Sequence, residues 1–227
     1  MVRTLYRMLL KEKIMSKQHV VIGAMVAVTA LMFAGIPAGA ATEGDPYTLN
    51  TCAVSGKALG SMGDPIVLDH EGREIKLCCG GCEDPFKADP AKYIAAVDEK
   101  LIAQQDENYP LDTCLVSGKA LDSKGEPIDL VVANRHVKLC CGGCVKPASS
   151  DAAGTIAKLD EAVIAAQNES YASKKCPVSG KDLGSMGDPI NLVVANRLVK
   201  ICCAGCEKPV MADPAAAFEK LDAESGD

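Results

Sequence analysis

The sequence predicts an α+β protein made of three tandem small modules, each a loop, a β-hairpin and an α-helix, after a signal peptide. Two observations carry that expectation. Cys52, Cys114 and Cys176 are spaced by 62 residues, as are Cys78, Cys140 and Cys202, and a fixed interval of this size marks an internal repeat. Within each interval the apolar pattern changes from short β-branched runs to a helical stripe.

The chain opens with "MSKQHVVIGAMVAVTALMFAGIPAGAATEGD", where Lys17 precedes an apolar run from Val20 to about Ile36 and the run closes on Ala38-Gly39-Ala40. A basic start, an apolar middle and a small-x-small end are the three parts of a secretory signal peptide. Residues 1–40 are assigned to it, with Met15 as an alternative start, because residues 1–14 make the basic region unusually long. The competing assignment is an uncleaved anchor, since the run approaches the roughly 20 residues that span a bilayer. Pro37 and the Ala-Gly-Ala stretch favour cleavage. No cysteine follows the apolar run until Cys52, which argues against a lipid anchor. The expected location is periplasmic or secreted, with membrane attachment only if the segment stays uncleaved.

Residues 41–46 form a linker, and three modules follow at 47–108, 109–170 and 171–227. Tyr47, Tyr109 and Tyr171 open them. First comes a loop, "TCAVSGKAL", "TCLVSGKAL" or "KCPVSGKDL", in which Ser-Gly-Lys signals a tight turn. A short strand follows ("PIVL", "PIDLVV" or "PINLVV"). A turn at Glu71-Gly72, Asn134-Arg135 or Asn196-Arg197 leads into a second strand that ends at the cysteines. A helix is expected from about Pro90 to Gln105, with Ile94, Val97 and Leu101 on one face. Ile156, Leu159 and Val163 repeat that stripe, and Phe218 and Leu221 begin it again. These are core positions. The linkers "QDENYP" and "QNESY" are short and polar.

Composition narrows the function. Residues 1–40 hold five of the 24 basic and one of the 30 acidic residues, leaving 19 and 29 and a formal charge of −10 on residues 41–227. Such a surface repels nucleic-acid phosphate, so no nucleic-acid partner is expected. Trp is absent and Phe occurs three times. A module of about 60 residues with so few aromatics buries little apolar surface, and cores of that size rarely supply more than about 3–5 kcal/mol without a staple.

The 12 cysteines are the evident staple, four in each module. The candidate metal ligands are Cys52, Cys78, Cys79 and Cys82; Cys114, Cys140, Cys141 and Cys144; and Cys176, Cys202, Cys203 and Cys206. Thiolates from a loop and from a strand-to-helix corner can converge on one ion. Gly80-Gly81 lets the backbone fold tightly around it, and a helix start offers amides to the sulfurs. Export also permits a disulfide framework. The spacing favours metal over disulfides, because a bond between adjacent Cys78 and Cys79 is strained. A C-x-x-C pair such as Cys79 and Cys82 leaves thiol redox chemistry as the enzymatic alternative.

"KLCCGGCEDPFKADPAKYIAAV" and "CPVSGKDLGSMGDPINLVVANRLVKICCAGCEKPVMADPAAAFEKL" resemble the YHS and TRASH-type heavy-metal-binding modules, over all three units. Cys78, Cys82, Phe86, Asp89, Pro90 and Tyr93 match that family's ending. The third copy keeps Cys202, Cys206, Asp213 and Pro214 but has Val210 for the Phe. The second has Ala148 there and Asp151-Ala152 for Asp-Pro. The resemblance implies a treble-clef-like fold binding zinc or copper, Zn2+ or Cu+, in trafficking or sensing. It also implies Cys52, Cys78 and Cys82, with their equivalents, as the primary ligands; the alternative puts Cys79 and Cys82 first. Two departures stand out. Cys-Pro-Val-Ser-Gly-Lys resembles a zinc knuckle with Ser179 in place of its second cysteine, and Cys79 is extra at the corner. Adjacent residues on a strand face opposite ways, so Cys78 and Cys79 can share an ion only if the strand has ended. Three thiolates would suit Cu+ better than tetrahedral zinc.

Other residues carry little. His70 and His136 lack equivalents in the other copies and are expected at the surface. Met62 and Met186 share a loop position that is Lys124 in the second copy. Lys57, Lys119 and Lys181 follow a turn glycine and read as turn surface. Cys82 precedes Glu83, not His, so haem attachment fails, and no catalytic Ser/His/Asp or paired-carboxylate arrangement repeats. The expectation is a non-enzymatic protein that buffers or delivers metal, its partners being metal ions and a metal transporter or metalloprotein. The structural rival is a disulfide-stapled repeat scaffold for protein interaction.

Overall fold

The computed structural model describes residues 44–225, so the signal peptide and its anchor alternative lie outside the described residues. Among these residues the chain folds as mixed helix and strand, three times over.

Each repeat starts with a loop closed by backbone hydrogen bonds. In the first, Cys52 N–H donates to Lys57 O (2.8 Å) and Gly56 N–H to Cys52 O (2.9 Å). The reversal needs φ of +69° at Gly56, with +67° and +68° at Gly118 and Gly180, which a residue with a Cβ adopts only under strain. The strands follow: β1 (Ile66–His70) and β2 (Arg73–Leu77), β3 (Ile128–Val132) and β4 (Arg135–Leu139), β5 (Ile190–Val194) and β6 (Arg197–Ile201). Each pair is an antiparallel hairpin with a two-residue turn.

Both turn residues are left-handed: Glu71-Gly72 at 54° and 79°, Ala133-Asn134 at 49° and 65°, Ala195-Asn196 at 49° and 60°. This is the pattern of the tight turn whose twist matches the flanking strands. The sequence places the later two turns one residue too far on, at Asn134-Arg135 and Asn196-Arg197. Alanine gives no signal for a left-handed position, so the Asn-Arg pair draws the assignment, whereas both arginines begin the returning strand.

After β2 the chain makes a 3-10 turn at Gly80–Cys82, then the helices α1 (Glu83–Ala88) and α2 (Pro90–Gln105). The second repeat has Gly142–Cys144, α3 (Val145–Ser150) and α4 (Ala152–Gln167); the third has Ala204–Cys206, α5 (Glu207–Ala212) and α6 (Pro214–Ser225). The long helix of the first module has the span its sequence predicts. The short helix has no such signal, because six residues cannot establish a period. Asp89, Asp151 and Asp213 separate the two helices, and their carboxylates accept from the amides of Lys92, Gly154 and Ala216. The Asp-Pro tail is therefore an N-cap followed by a proline that suits the first helical position. The helical stripe packs as expected: Val97, Leu101, Leu159, Val163 and Leu221 are buried.

A repeated hydrogen-bond lattice joins successive modules. Arg73 Nε donates to Asn134 Oδ1 (3.0 Å) and Arg135 Nε to Asn196 Oδ1 (2.8 Å). Asn134 Nδ2 in turn donates to Glu74 O, and Asn196 Nδ2 to His136 O. From the preceding helix, Gln105 Nε2 donates to Asn134 O while Gln105 Oε1 accepts from His136 N–H, both at 2.9 Å. Gln167 does the same for Asn196 and Leu198. Each hairpin arginine also pairs with a helix aspartate of its own module: Arg73 with Asp98, Arg135 with Asp160, Arg197 with Asp222.

The N-terminal segment closes over this lattice. Asp45 pairs with Arg135 Nη1 (3.2 Å) through one carboxylate oxygen and accepts from Ala195 N–H (2.7 Å) through the other. It therefore touches the second and third modules while preceding the first. Burial pushes the Asp45 carboxyl up, against the lowering effect of Arg135. Gln105, read from sequence as part of a polar linker, is fully buried. His136 was expected at the surface and is fully buried as well, because its strand packs on the first module and its Nε2 meets Asp129 Oδ1 at 2.8 Å. His70 is half-buried, edge-on to Phe86 with ring centroids 5.4 Å apart.

Asn134→Gly preserves the left-handed turn, as Gly72 does in the first module, but deletes the side-chain bonds to Arg73, Glu74 and Asp45. Each buried group left unpaired costs about 1–3 kcal/mol, so the variant should lose at least about 2 kcal/mol in denaturant unfolding of the metal-free chain. Unchanged stability would show that the lattice holds nothing together.

Candidate metal centre

The site is assembled from two segments. The loop supplies Cys52, held by the backbone bonds above and by Ala53 N–H donating to Lys76 O of β2 (3.1 Å). The end of β2 supplies the rest. The strand stops at Leu77, so Cys78 and Cys79 follow it rather than alternate across it. Cys82 closes the 3-10 turn, its N–H donating to Cys79 O at 3.1 Å. The other two modules repeat these elements.

Three sulfurs per module converge: Cys52, Cys78 and Cys82; Cys114, Cys140 and Cys144; Cys176, Cys202 and Cys206. All nine residues are buried, and within each triad the Sγ atoms lie within 4.8 Å of one another. The Sγ–Sγ separation is 3.8 Å for Cys52–Cys82 and for Cys78–Cys82, and 3.9 Å for Cys140–Cys144 and for Cys202–Cys206. Thiolates bound tetrahedrally to one ion at about 2.3 Å stand about 3.8 Å apart, and in a trigonal plane about 4.0 Å apart. The observed spacing fits either geometry. It is nearly twice the roughly 2.05 Å of a disulfide, and all 12 cysteines are free.

The fourth thiol occupies the rim. Cys79, Cys141 and Cys203 are half-buried. Each Sγ stands 3.9 Å from that of the preceding cysteine, and Cys141 is also 3.9 Å from Cys144. None belongs to the mutually close set. A loop serine takes part instead: Ser55, Ser117 and Ser179 place Oγ 3.3 Å from Cys78, Cys140 and Cys202. A hydroxyl thus stands beside each triad, three residues after the loop cysteine, a neighbour that the sequence by itself does not show.

The thiols are electrostatically unequal. Burial works against ionisation of Cys52, but hydrogen bonds from the Ser55 hydroxyl and from the amides of Ser55, Cys78 and Val54 outweigh it and bring the thiol down to about 6. Cys114 and Cys176 come down to about 6 in the same way. Burial, reinforced by neighbouring sulfurs, pushes Cys82, Cys144 and Cys206 up to about 12. Hydrogen bonds led by the amides of Gly81, Gly143 and Gly205 lower the rim thiols.

Among the described residues one further cluster could accept a cation: Asp106 at the end of the first module, with Asp129 and His136 of the second. Lys138 already supplies a charge there, with its ammonium on Asp106. The loop methionines Met62 and Met186 are exposed, and Lys57, Lys119 and Lys181 are exposed as expected.

No family model, characterised protein or solved structure matches this chain.

The reduced, metal-free chain should show three thiols ionising near pH 6, because a lowered value means the thiolate prevails above it. Cys82, Cys144 and Cys206 should stay protonated until about pH 12. Thiolate absorbance near 240 nm, compared with a Cys52→Ser/Cys114→Ser/Cys176→Ser chain, measures this directly. A low-pH step that survives the triple substitution would contradict it.

Proposed function

We propose that the chain is an exported carrier of soft metal ions, holding one ion in each module for buffering or delivery. The observation that supports it is the threefold recurrence of three buried thiols with sulfurs at metal-sharing distance. Thiolates select soft ions, and three sulfurs favour Cu+ over zinc, which prefers four ligands. The resemblance to YHS and TRASH-type modules points the same way, and their treble-clef-like description suits a loop, hairpin and helix around a thiolate centre. The ion is cargo in this reading, and its partner is a transporter or metalloprotein that takes it up.

A second reading has one specific observation behind it. Cys79 and Cys82 form a C-x-x-C pair with a lowered, half-exposed first thiol and a raised, buried second one, the asymmetry that thiol–disulfide exchange uses. It requires the pair to cycle to a disulfide and reduce a substrate.

Anaerobically purified residues 41–227 should bind three Cu+ per chain. Replacing one triad, as in Cys52→Ser/Cys78→Ser/Cys82→Ser, should lower this to two. Insulin reduction should stay at background in the metal-free chain. Turnover that vanishes in Cys82→Ser, with metal content unchanged, would favour the redox reading and contradict the carrier.

A further inference from the structure

The triads are closed to a partner. Their cysteines are at most 7% exposed, so no sulfur on another molecule can approach an ion held among them without opening the core. The rim thiols alone bridge inside and outside, half-exposed and 3.9 Å from a triad sulfur in every module. Their backbone is extended, with φ of −170°, −171° and −164°, immediately before the 3-10 turn. That places each rim sulfur beside the corner rather than in the core.

A glycine two residues on keeps the rim sulfur clear. Gly81, Gly143 and Gly205 are absent from the positive-φ glycines, so their backbone does not demand glycine. A Cβ built there meets a single neighbour within 4 Å, the Sγ of Cys79, Cys141 or Cys203 at 3.9, 3.8 and 3.8 Å. The preceding position is Gly80, Gly142 and Ala204, where a side chain is accepted. Glycine thus recurs where a side chain would shield the rim thiol and gives way one residue earlier.

We propose that Cys79, Cys141 and Cys203 are exchange ligands, through which a soft metal ion passes between the buried triad and a thiolate-bearing partner. This rests on the metal-carrier reading. On unloading, the rim sulfur bonds to the ion as one triad metal–sulfur bond breaks. A partner sulfur then bonds to the ion as the second triad bond breaks, a second partner sulfur bonds as the third breaks, and the rim bond breaks last. Each thiol that binds the ion, on the rim or on the partner, gives its proton to solvent, and the released cysteines that reprotonate take theirs from solvent. The ion keeps its oxidation state. Loading runs the same sequence in reverse.

The test uses residues 41–227 loaded with Cu+, and follows transfer by the loss of thiolate–copper absorbance on adding either glutathione or a Cys-x-x-Cys peptide. Cys79→Ser/Cys141→Ser/Cys203→Ser should keep three ions and transfer them at least tenfold more slowly. Gly81→Ala/Gly143→Ala/Gly205→Ala should slow transfer severalfold, while Gly80→Ala/Gly142→Ala stays within twofold of the unaltered chain. Slowing with both acceptors, or with the peptide alone, identifies a protein partner class; slowing with glutathione alone identifies a small thiol. Three ions retained with an unaltered rate overturns the exchange role and leaves the carrier standing. Loss of the ions in the serine variant overturns it too, by making the rim thiols full ligands. An unaltered chain that binds no Cu+ overturns the carrier reading and the exchange role together.

Discussion

Each module is organised by one requirement: three buried sulfurs from two separate segments must meet within a few ångströms. The positive-φ glycine in the loop, the strand that stops one residue before the first corner cysteine, and the 3-10 turn that brings back the last cysteine all serve it. Close packing of three thiols against Ile75, Leu77, Phe86, Val97 and Leu101 makes the site part of the core rather than an addition to it. An apolar core this small contributes only about 3–5 kcal/mol, whereas structural zinc in small modules contributes about 10–16 kcal/mol of apparent binding energy. On the carrier reading, a bound ion is therefore the larger share of what keeps a module folded.

The second organising feature acts between modules. Asn134 and Asn196 sit in a left-handed turn and are gripped by the preceding module's arginine and glutamine. The first module has Glu71-Gly72 at the turn instead. Arg197 of the third module pairs with Asp222 and lies over the Phe218 ring at 4.5 Å. Arg135 is the most constrained member. It is fully buried and shared among Asp45, Asp160 and Asn196, so losing a partner leaves a buried charge poorly compensated, a change that typically costs about 3–5 kcal/mol. Through it, the N-terminal segment, the second module and the third are joined.

Much of this is readable from the residues, for identifiable reasons. The repeat and the long helix are legible because a 62-residue interval and a stripe at Ile94, Val97 and Leu101 are regular patterns. The loop cysteine and the corner cysteines stand out because they recur at the same positions in all three copies. What cannot be read depends on neighbours in space. His136 looks like a surface residue because it occurs in one copy, yet it is buried by contact with another module. Gln105 looks like linker because it heads a polar run, yet its amide is buried against the next module's turn. The turn at Ala133-Asn134 is displaced because alanine does not advertise a positive φ. Ser55 near Cys78, and the division of four thiols into a buried triad and a rim sulfur, require distances that spacing along the chain does not contain.

The central claim is that each module holds its ion through three buried cysteine sulfurs. X-ray absorption at the metal edge of the Cu+-loaded chain measures the first coordination shell directly. The expected result is about three sulfur neighbours per ion at a single thiolate distance, about 2.2–2.3 Å, the same in all three modules. A shell dominated by oxygen or nitrogen, or two sulfurs per ion with the remaining thiols oxidised, would contradict it.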